Sequence, residues 1–265
     1  MGVLCIFRLT PIQTTKHLHP KRCRGMTLDF TQRVILITGG SSGIGLETAR
    51  LLLSYGGNVA ICGRNIEKLE QAIGSLQPVD AKFLALQADV TRGTDVDQMV
   101  LAVLQKFGKI DMLVNCAGAG YLGSCLDTTD ETIERLFAVN VFGTMRVCRA
   151  VLPQMIDAKS GHVVNLCGIL GVRVLAGASL YAATKHALVG FGGCLAQEVK
   201  RSGVKVTSLC CSGVDTPFWE GVAGKPRADM LLSAVDVANE ICSILTKPTH
   251  AVVNQVIMQH VSHQV

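Results

Sequence analysis

The sequence predicts an α/β protein with one doubly wound domain, in which a seven-stranded parallel sheet carries helices on both faces. The first observation is length, because 265 residues suit a single large domain. The second is an alternation of short apolar runs with segments of helical spacing, which is typical of βαβ units. The third is a glycine-rich turn after the first run, where doubly wound sheets bind ligands.

Seven apolar runs are the predicted strands, because each is short and rich in aliphatic residues. In chain order they cover residues 34–37, 58–62, 82–87, 112–115, 162–166, 205–210 and 251–258. Apolar positions recur at helical spacing between them. The main predicted helices cover residues 46–55, 66–76, 95–107, 132–158, 181–202 and 235–245. We therefore assign residues 29–265 to one Rossmann-type domain.

The turn between the first strand and the first helix predicts a dinucleotide site. Glycine accepts a positive φ and lets the backbone approach a pyrophosphate, and the following helix presents free N–H groups and its positive dipole end. An ordinary strand-to-helix loop is the alternative, but the strand and helix on either side favour the dinucleotide. The predicted cofactor-binding residues of this turn are Gly39, Ser41, Ser42, Gly43, Ile44 and Gly45.

The glycine spacing, G-x-x-x-G-x-G, resembles the signature of the short-chain dehydrogenase/reductase family. Further motifs of that family follow in order, within about residues 30–260: Asp89-Val90, Asn115-Cys116-Ala117-Gly118, Asn140 and Tyr181-x-x-x-Lys185. Several motifs in order are far more specific than one. The resemblance implies an oxidoreductase with a nicotinamide cofactor. It also implies a homodimer or homotetramer formed through the helices predicted at 132–158 and 181–202.

The resemblance further implies which residues after the glycine turn contact the cofactor. Asp89 would meet the adenine amino group, and Val90 belongs to the same contact segment. Asn115 and the small residues Ala117 and Gly118 would let the chain pass close beneath the adenosine ribose.

The end of the second strand predicts the phosphorylated cofactor, NADP(H). An NAD site carries an acidic residue here for the ribose 2′-hydroxyl, whereas this chain has Gly63. The following Arg64 offers a planar cation suited to a phosphate. A solvated loop charge is the alternative for Arg64, but the missing acid is independent support for the phosphate.

Tyr181 and Lys185 are the candidate reaction centre. Four residues apart in a helical segment, they share one face. A nearby ammonium group is expected to lower the pKa of a phenol, which is otherwise near 10. The resemblance implies that Tyr181 exchanges a proton with the substrate oxygen, that Lys185 also holds the nicotinamide ribose, and that Asn140 helps to relay protons. A chance pair on a helix face is the alternative, which the upstream motifs disfavour.

Two positions depart from the family pattern. The family places a serine thirteen residues before this tyrosine, and the chain has Gly168 there. Ser212 replaces a usual proline, and one residue is missing before Thr216, which would face the nicotinamide carboxamide. Loss of one preorganised donor typically costs ~10²–10³ in rate. Two functions therefore stay open: a carbonyl/alcohol oxidoreductase, or a catalytically weak NADP(H)-binding protein that acts as a sensor or assembly module.

The segment around residues 217–233 lies where the family has its substrate lid. It contains Pro217, Phe218 and Trp219, and Trp219 is the only tryptophan of the chain. These aromatic residues predict either an apolar wall for a small, partly apolar carbonyl or alcohol substrate, or simple packing of the lid.

Composition excludes several other classes. Five of the 25 basic residues lie in residues 1–25, which contain no acid, so the rest of the chain carries 20 basic and 20 acidic residues. Such a neutral body argues against nucleic-acid binding. No apolar run approaches the ~20 residues of a membrane span. The 11 cysteines have no metal-ligand spacing, so no metal site is predicted, and a reducing compartment, the cytoplasm, is expected.

Residues 1–28 are predicted to be a basic appendage. Its two interpretations are a poorly ordered extension, with Met1 or Met26 as the start, and an organelle-targeting peptide within residues 1–25; the scarcity of serine favours the first. The domain itself is poor in charge, since only 17% of all residues are charged. Either a subunit interface or a sheet buried on both faces would explain this.

Overall fold

The structure, a computed structural model, describes residues 4–5 and 28–262, and its main sheet contains seven parallel strands. The strands are β1 (Val34–Thr38), β2 (Asn58–Gly63), β3 (Phe83–Gln87), β4 (Met112–Asn115), β5 (Gly161–Leu166), β6 (Val204–Cys211) and β7 (Gln255–Met258). Their order is β3-β2-β1-β4-β5-β6-β7, so the winding direction reverses beside β1. The predicted fold is confirmed, and such sheets bind ligands at the carboxyl ends of the strands next to this reversal.

Six long helices of the described residues cover the sheet. They are α1 (Gly43–Ser54), α2 (Ile66–Leu76), α3 (Gly93–Phe107), α4 (Asp130–Asp157), α5 (Ser179–Val199) and α6 (Ala234–Leu245). All six were predicted, but α1 begins at Gly43, because the glycines of the turn already form its first helical residues. In the middle of α4 the segment Phe137–Gly143 is wound as a π-helix, which periodicity did not predict.

Apolar side chains cover both faces of the sheet. On one face α3, α4 and α5 contribute buried residues such as Val103, Val147 and Val199. On the other face α1 and α6 contribute residues such as Leu52 and Ile241. All five residues of β1 are buried. Burial on both faces accounts for the low share of charged residues without requiring a subunit interface.

The helix α4 is long and apolar. In the described part of the chain it is the one helix that could cross a membrane by length and composition, with a mean hydropathy of 1.3 in its most apolar window. Half of that window is buried, and Val147, Val151 and Met155 pack into the core. A core helix meets the same criterion, so α4 is weak support for a membrane span.

The sheet has one further strand at its edge. Leu4–Cys5 pairs antiparallel with β3, which the sequence did not predict. Residues 1–3 and 6–27 lie outside the described residues. Both interpretations of the N-terminal appendage therefore stay predictions, as does the domain boundary at residue 29.

His162 is a buried titratable residue within the sheet. Its Nε2 atom lies 2.9 Å from the Thr207 hydroxyl, which itself donates to the Val253 carbonyl at 2.7 Å. That hydroxyl therefore accepts the Nε2 proton of a neutral imidazole. The buried Nδ1 atom has no partner among the described residues. Burial lowers the pKa of His162 to about 3, and Lys205 adds to the effect.

We expect acid to destabilise the fold through His162. Below pH 6.5 the unfolded chain binds a proton that the folded chain excludes until about pH 3, so the free energy of unfolding falls by about 1.4 kcal/mol per pH unit in this window. Urea unfolding at about pH 7.5 and 5 should show a loss about 2 kcal/mol smaller in His162→Gln than in the wild type. The exposed His250→Gln is the matched control. Equal losses in both variants would contradict this expectation.

Candidate active site

The carboxyl ends of β1 and β4 meet at the glycine-rich turn. Gly39 has φ +65°, and a Cβ on it would lie 2.8 Å from the backbone nitrogen of Ala117. A Cβ on Gly45 would collide with the carbonyl oxygen of Gly39. The start of α1 therefore packs against the end of β1 only because glycine has no side chain.

The first turn of α1 faces the cleft with free N–H groups. Its N-cap, Ser42, makes no side-chain capping bond, and the turn contains no acidic residue. The N–H groups of Gly43, Ile44 and Gly45 have no acceptor among the described residues. Free donors and the positive end of a helix dipole together suit an anion.

Two cations of this cleft, Arg64 and Lys68, follow the end of β2. Arg64 lines the cleft together with Ser41 and Lys68. A Cβ on Gly63 would lie 2.9 Å from Ser41 Oγ, so any larger residue would crowd that hydroxyl. Lys68 Nζ also lies 3.7 Å from a carboxylate oxygen of Glu220, and both side chains are exposed. Two basic groups and one hydroxyl thus converge beside the turn.

The segment after β3 contributes a fixed carboxylate. Asp89 and Val90 both line the cleft. Asp89 Oδ1 accepts hydrogen bonds from the Thr91 N–H at 2.9 Å and the Thr91 hydroxyl at 2.8 Å. These bonds orient the carboxylate, and its second oxygen accepts none from the described residues.

The segment after β4 divides into two parts. Ala117 and Gly118 line the cleft. Asn115 is buried behind the wall, where its Nδ2 atom donates to Asn165 Oδ1 at 2.9 Å. The structure therefore gives Asn115 the task of linking β4 to β5, and the small residues that follow it border the ligand space.

The π-helical turn of α4 places Asn140 at a junction of three elements. Its Nδ2 atom donates to the Ala119 carbonyl at 3.0 Å and to the Thr184 hydroxyl at 3.1 Å, and its Oδ1 atom accepts from the Ala119 N–H at 2.8 Å. Thr184 in turn donates to the Tyr181 carbonyl at 2.8 Å. Asn140 is fully buried. It therefore holds the loop after β4 and the first turns of α5 together from behind the cleft.

Tyr181 and Lys185 lie one turn apart on α5, and both line the cleft. Lys185 Nζ donates to the Leu166 carbonyl at 3.2 Å and lies 5.5 Å from the centre of the Tyr181 ring. Burial lowers the pKa of Lys185 and raises that of Tyr181. We expected the ammonium group to lower the tyrosine pKa. In this structure burial has the larger effect and the opposite sign, because the phenolate loses hydration.

Gly168 stands beside the Tyr181 hydroxyl, where the resemblance leads one to expect serine. A Cβ there would lie 3.7 Å from Tyr181 Oη, which is an ordinary contact. The backbone, at φ 75° and ψ 160°, lies in a region essentially restricted to glycine, and other residues pay about 1–3 kcal/mol there. Cys167 does not replace the hydroxyl, because it is fully buried and its thiol lies 3.4 Å from the Asn165 carbonyl.

The loop after β6 is tied to the C-terminal strand by Ser212. Its N–H donates to the Met258 carbonyl at 2.8 Å, and its hydroxyl accepts from the His260 N–H at 3.1 Å. A proline at this position could not donate the first of these bonds. Thr216 lines the cleft beyond this loop, and a Cβ on Gly43 would lie 3.1 Å from Thr216 Cβ. Thr216 therefore lies against the start of α1.

All these lining residues border one cleft of about 640 Å³. Phe218 and Trp219 form part of its wall, so the predicted lid segment does face the ligand space.

The residues that the sequence did not indicate are Lys68, Gly120 and Thr184. Position could have indicated Lys68, because it lies in the first turn of α2, which begins two residues after Arg64. Gly120 and Thr184 make contacts between distant parts of the chain, and a single sequence carries no signal for these.

Comparisons with known proteins agree on one family. The family model of the short chain dehydrogenases matches residues 33–226. An uncharacterised oxidoreductase of Staphylococcus epidermidis is 35% identical over 230 residues, which cover 87% of this chain and 98% of that protein. An alcohol dehydrogenase from the archaeon Thermococcus sibiricus, complexed with 5-hydroxy-NADP, is similar with a TM-score of 0.80, 26% identity and coverage of 88% and 98%. A 3-ketoacyl-(acyl-carrier-protein) reductase from Brucella melitensis, complexed with NADH, has a TM-score of 0.79, 27% identity and coverage of 86% and 97%.

We expect Gly45→Ala to weaken both the fold and dinucleotide binding, because its Cβ would force α1 away from Gly39. Overpacking of this kind costs about 1–3 kcal/mol, so calorimetric titration should show about tenfold or greater weakening of NADPH binding, and the melting temperature should fall. Gly74→Ala in α2 is the matched control, since its Cβ would meet nothing within 4 Å. That variant should melt no lower than the wild type. Wild-type binding by Gly45→Ala would show that the close contact is dispensable.

Proposed function

We propose that this chain, which belongs to the short-chain dehydrogenase family, is an NADP(H)-dependent oxidoreductase that interconverts a carbonyl and a secondary alcohol. The observation that carries the proposal is that Tyr181 and Lys185 line the same cleft as the glycine turn. Tyr181 is the proposed proton donor in reduction and proton acceptor in oxidation. The substrate is a small, partly apolar molecule.

The glycine turn fits the pyrophosphate of such a cofactor. A Cβ on Gly39 or Gly45 would collide with backbone atoms, and the N–H groups at the start of α1 are free to bind an anion. Asp89 can accept a hydrogen bond from the adenine amino group through its unengaged oxygen. NADPH, when bound, supplies the hydride to the carbonyl carbon in reduction, and NADP⁺ accepts it from the alcohol carbon in oxidation. The residues of the turn bind and orient the cofactor.

Support for the phosphorylated form comes from the residues of this chain, because the solved relatives have been captured with an NADP analogue and with NADH. Gly63 leaves no carboxylate to repel a 2′-phosphate or to bind a 2′-hydroxyl. Arg64 and Lys68 line the cleft beside it, and Ser41 adds a hydroxyl. We propose that Arg64 is the main phosphate ligand and that Lys68 assists it.

Arg64→Gln should weaken NADPH binding about ten- to hundredfold, because a charge-assisted hydrogen bond contributes about 1.5–3 kcal/mol. The affinity for NADH should stay near that of the wild type, since NADH has no 2′-phosphate. Calorimetric titration with both cofactors measures the ratio. Arg201→Gln, in the short turn Lys200–Ser202 and away from the cleft lining, is the control. Equal affinity of the wild type for NADPH and NADH would refute the proposed preference.

The proton chemistry of the proposal belongs to Tyr181. Because burial raises its pKa, Tyr181 is protonated at neutral pH and is ready to act as an acid in reduction. Oxidation needs the deprotonated phenol. We propose that the Lys185 ammonium group favours that form and partly offsets burial, while Lys185 also holds the nicotinamide ribose. Asn140 takes part as a positioning residue, because its side-chain amide is engaged with Ala119 and Thr184.

Gly168 favours a second candidate function, a catalytically weak NADP(H)-binding protein that acts as a sensor or assembly module. A glycine supplies no side-chain donor for the substrate oxygen, and this removes a contribution of about 10²–10³ in rate. The space beside Tyr181 Oη can instead hold a water molecule, which can bridge polar groups nearly as well as a direct bond. The intact pair Tyr181 and Lys185 makes the enzyme our first candidate.

Tyr181→Phe should abolish NADPH-dependent reduction across a panel of ketones and aldehydes, without changing NADPH affinity by more than about twofold. In the wild type, kcat/KM for alcohol oxidation should rise with pH from 7 to about 10 without a plateau, because the pKa of Tyr181 is raised. Tyr121→Phe is the control tyrosine; its hydroxyl lies 3.2 Å from the Thr128 hydroxyl. Turnover that is absent in the wild type would favour the binding module. Turnover that is unchanged in Tyr181→Phe would contradict the proposed role of Tyr181.

Assembly and compartment are also proposals. We propose a homodimer or homotetramer formed through α4 and α5. On α4 the side chains of Phe142 and Ile156 are exposed, at 47% and 38%, which fits a face covered by another subunit.

The proposed location is the cytoplasm. The nine cysteines of residues 28–262 are free thiols, which agrees with this location.

A further inference from the structure

We propose that Phe218 sets the size limit of the substrate site and restricts it to compact, uncharged carbonyl compounds and alcohols. The inference rests on the proposed function, because it takes Tyr181 as the residue that meets the substrate oxygen. It assigns a task to a residue of the lid segment for which the sequence left two interpretations open.

Phe218 lies directly against the proposed proton donor. The centres of the Phe218 and Tyr181 rings are 6.0 Å apart, and the rings are tilted by 51°. This is the range of a favourable aromatic contact. A substrate oxygen that reaches the Tyr181 hydroxyl therefore brings its carbon skeleton close to the Phe218 ring.

Phe218 also lies against Gly120, which follows β4. A Cβ on Gly120 would lie 2.5 Å from Cζ of Phe218, closer than any real Cβ contact. The ring thus occupies the space that a side chain at position 120 would take. Val222 reaches the same glycine, with Cγ2 3.0 Å from that Cβ position. Phe218 is consequently wedged between the loop after β4 and Tyr181.

Trp219 holds the Phe218 ring in this position. Trp219 meets its ring edge-on, with centres 5.5 Å apart and planes at 89°. The Trp219 indole N–H donates to the Val214 carbonyl at 2.9 Å. Val214 is buried and pairs with Leu232 in a small two-stranded sheet. A ring held in this way acts as a fixed wall, because moving it would break its contacts with Tyr181 and with Trp219, which the indole hydrogen bond holds in place.

The surroundings of Tyr181 are apolar. Tyr181 packs against a buried cluster that contains Ile169, Leu170 and Ala182. The charged group in contact with the ring is Lys185, which the proposed function assigns to the nicotinamide ribose. A charged substituent on the substrate would lose hydration beside these apolar side chains. The wall and the apolar cluster together favour a small, neutral substrate.

Binding of two ketones to the NADP⁺ complex tests the inference without relying on turnover. The probes are cyclohexanone and 4-tert-butylcyclohexanone, and the fluorescence of Trp219, the only tryptophan, reports binding. The additional butyl group would strengthen binding by about tenfold or more if it could be buried. We expect the wild type to bind cyclohexanone at least tenfold more tightly, and we expect Phe218→Ala to remove or invert this preference.

A control variant and a second substitution at Phe218 separate a specific size limit from a general effect of losing an apolar side chain. Val79→Ala removes an exposed apolar side chain away from the cleft lining and should keep the wild-type preference. Phe218→Leu should lie between the wild type and Phe218→Ala. A wild type that binds the bulky ketone as tightly as Phe218→Ala does would overturn the inference. Size-dependent binding without turnover would overturn the proposed function alone. Failure of every variant to bind either ketone would overturn the inference, and turnover across the panel of ketones and aldehydes would then decide the proposed function.

Discussion

Close backbone packing at the end of β1 is the constraint on which the rest of the structure depends. The carbonyl of Gly39 occupies the position that a side chain on Gly45 would need, and Gly39 itself lies against Ala117. This contact fixes where α1 begins and how near the loop after β4 approaches. The free N–H groups of the first helical turn face the cleft as a consequence. A binding surface made of backbone is rigid, because it has no side-chain rotamers to order.

The other end of the cleft is held by side chains, and Asn140 is central among them. The π-helical turn of α4 brings this amide within hydrogen-bond distance of both Ala119 and Thr184. A regular α-helix advances its side chains by a fixed rotation, and a single π-turn shifts that register locally. The position of Tyr181 therefore depends on an irregularity in a different helix. The two ends of the site thus have different physical origins.

Much of this could be predicted from the sequence, because it depends on local patterns. Buried aliphatic runs predicted the seven parallel strands, and the glycine spacing predicted the turn that shapes the cofactor end. The features that the sequence did not predict arise from contacts between distant segments. The apolar spacing of α4 predicted a regular helix and gave no indication of the π-helical segment Phe137–Gly143. Asn115 faces Asn165 because of strand register, and the raised pKa of Tyr181 comes from burial, which only the assembled fold defines.

Gly168 shows how backbone and side-chain effects combine at the reaction centre. Gly168 differs from a serine in its backbone as well as in its missing side chain. At φ 75° and ψ 160° the chain adopts a conformation that is unfavourable for serine. The strain, about 1–3 kcal/mol, is comparable with the ~3–4 kcal/mol that one oxyanion donor contributes to a transition state. A serine restored here would have to alter the path of the backbone or accept this strain. The backbone conformation at Gly168 thus favours glycine over serine, so the missing hydroxyl and the local fold go together. Tyr181 and Lys185 are retained beside it.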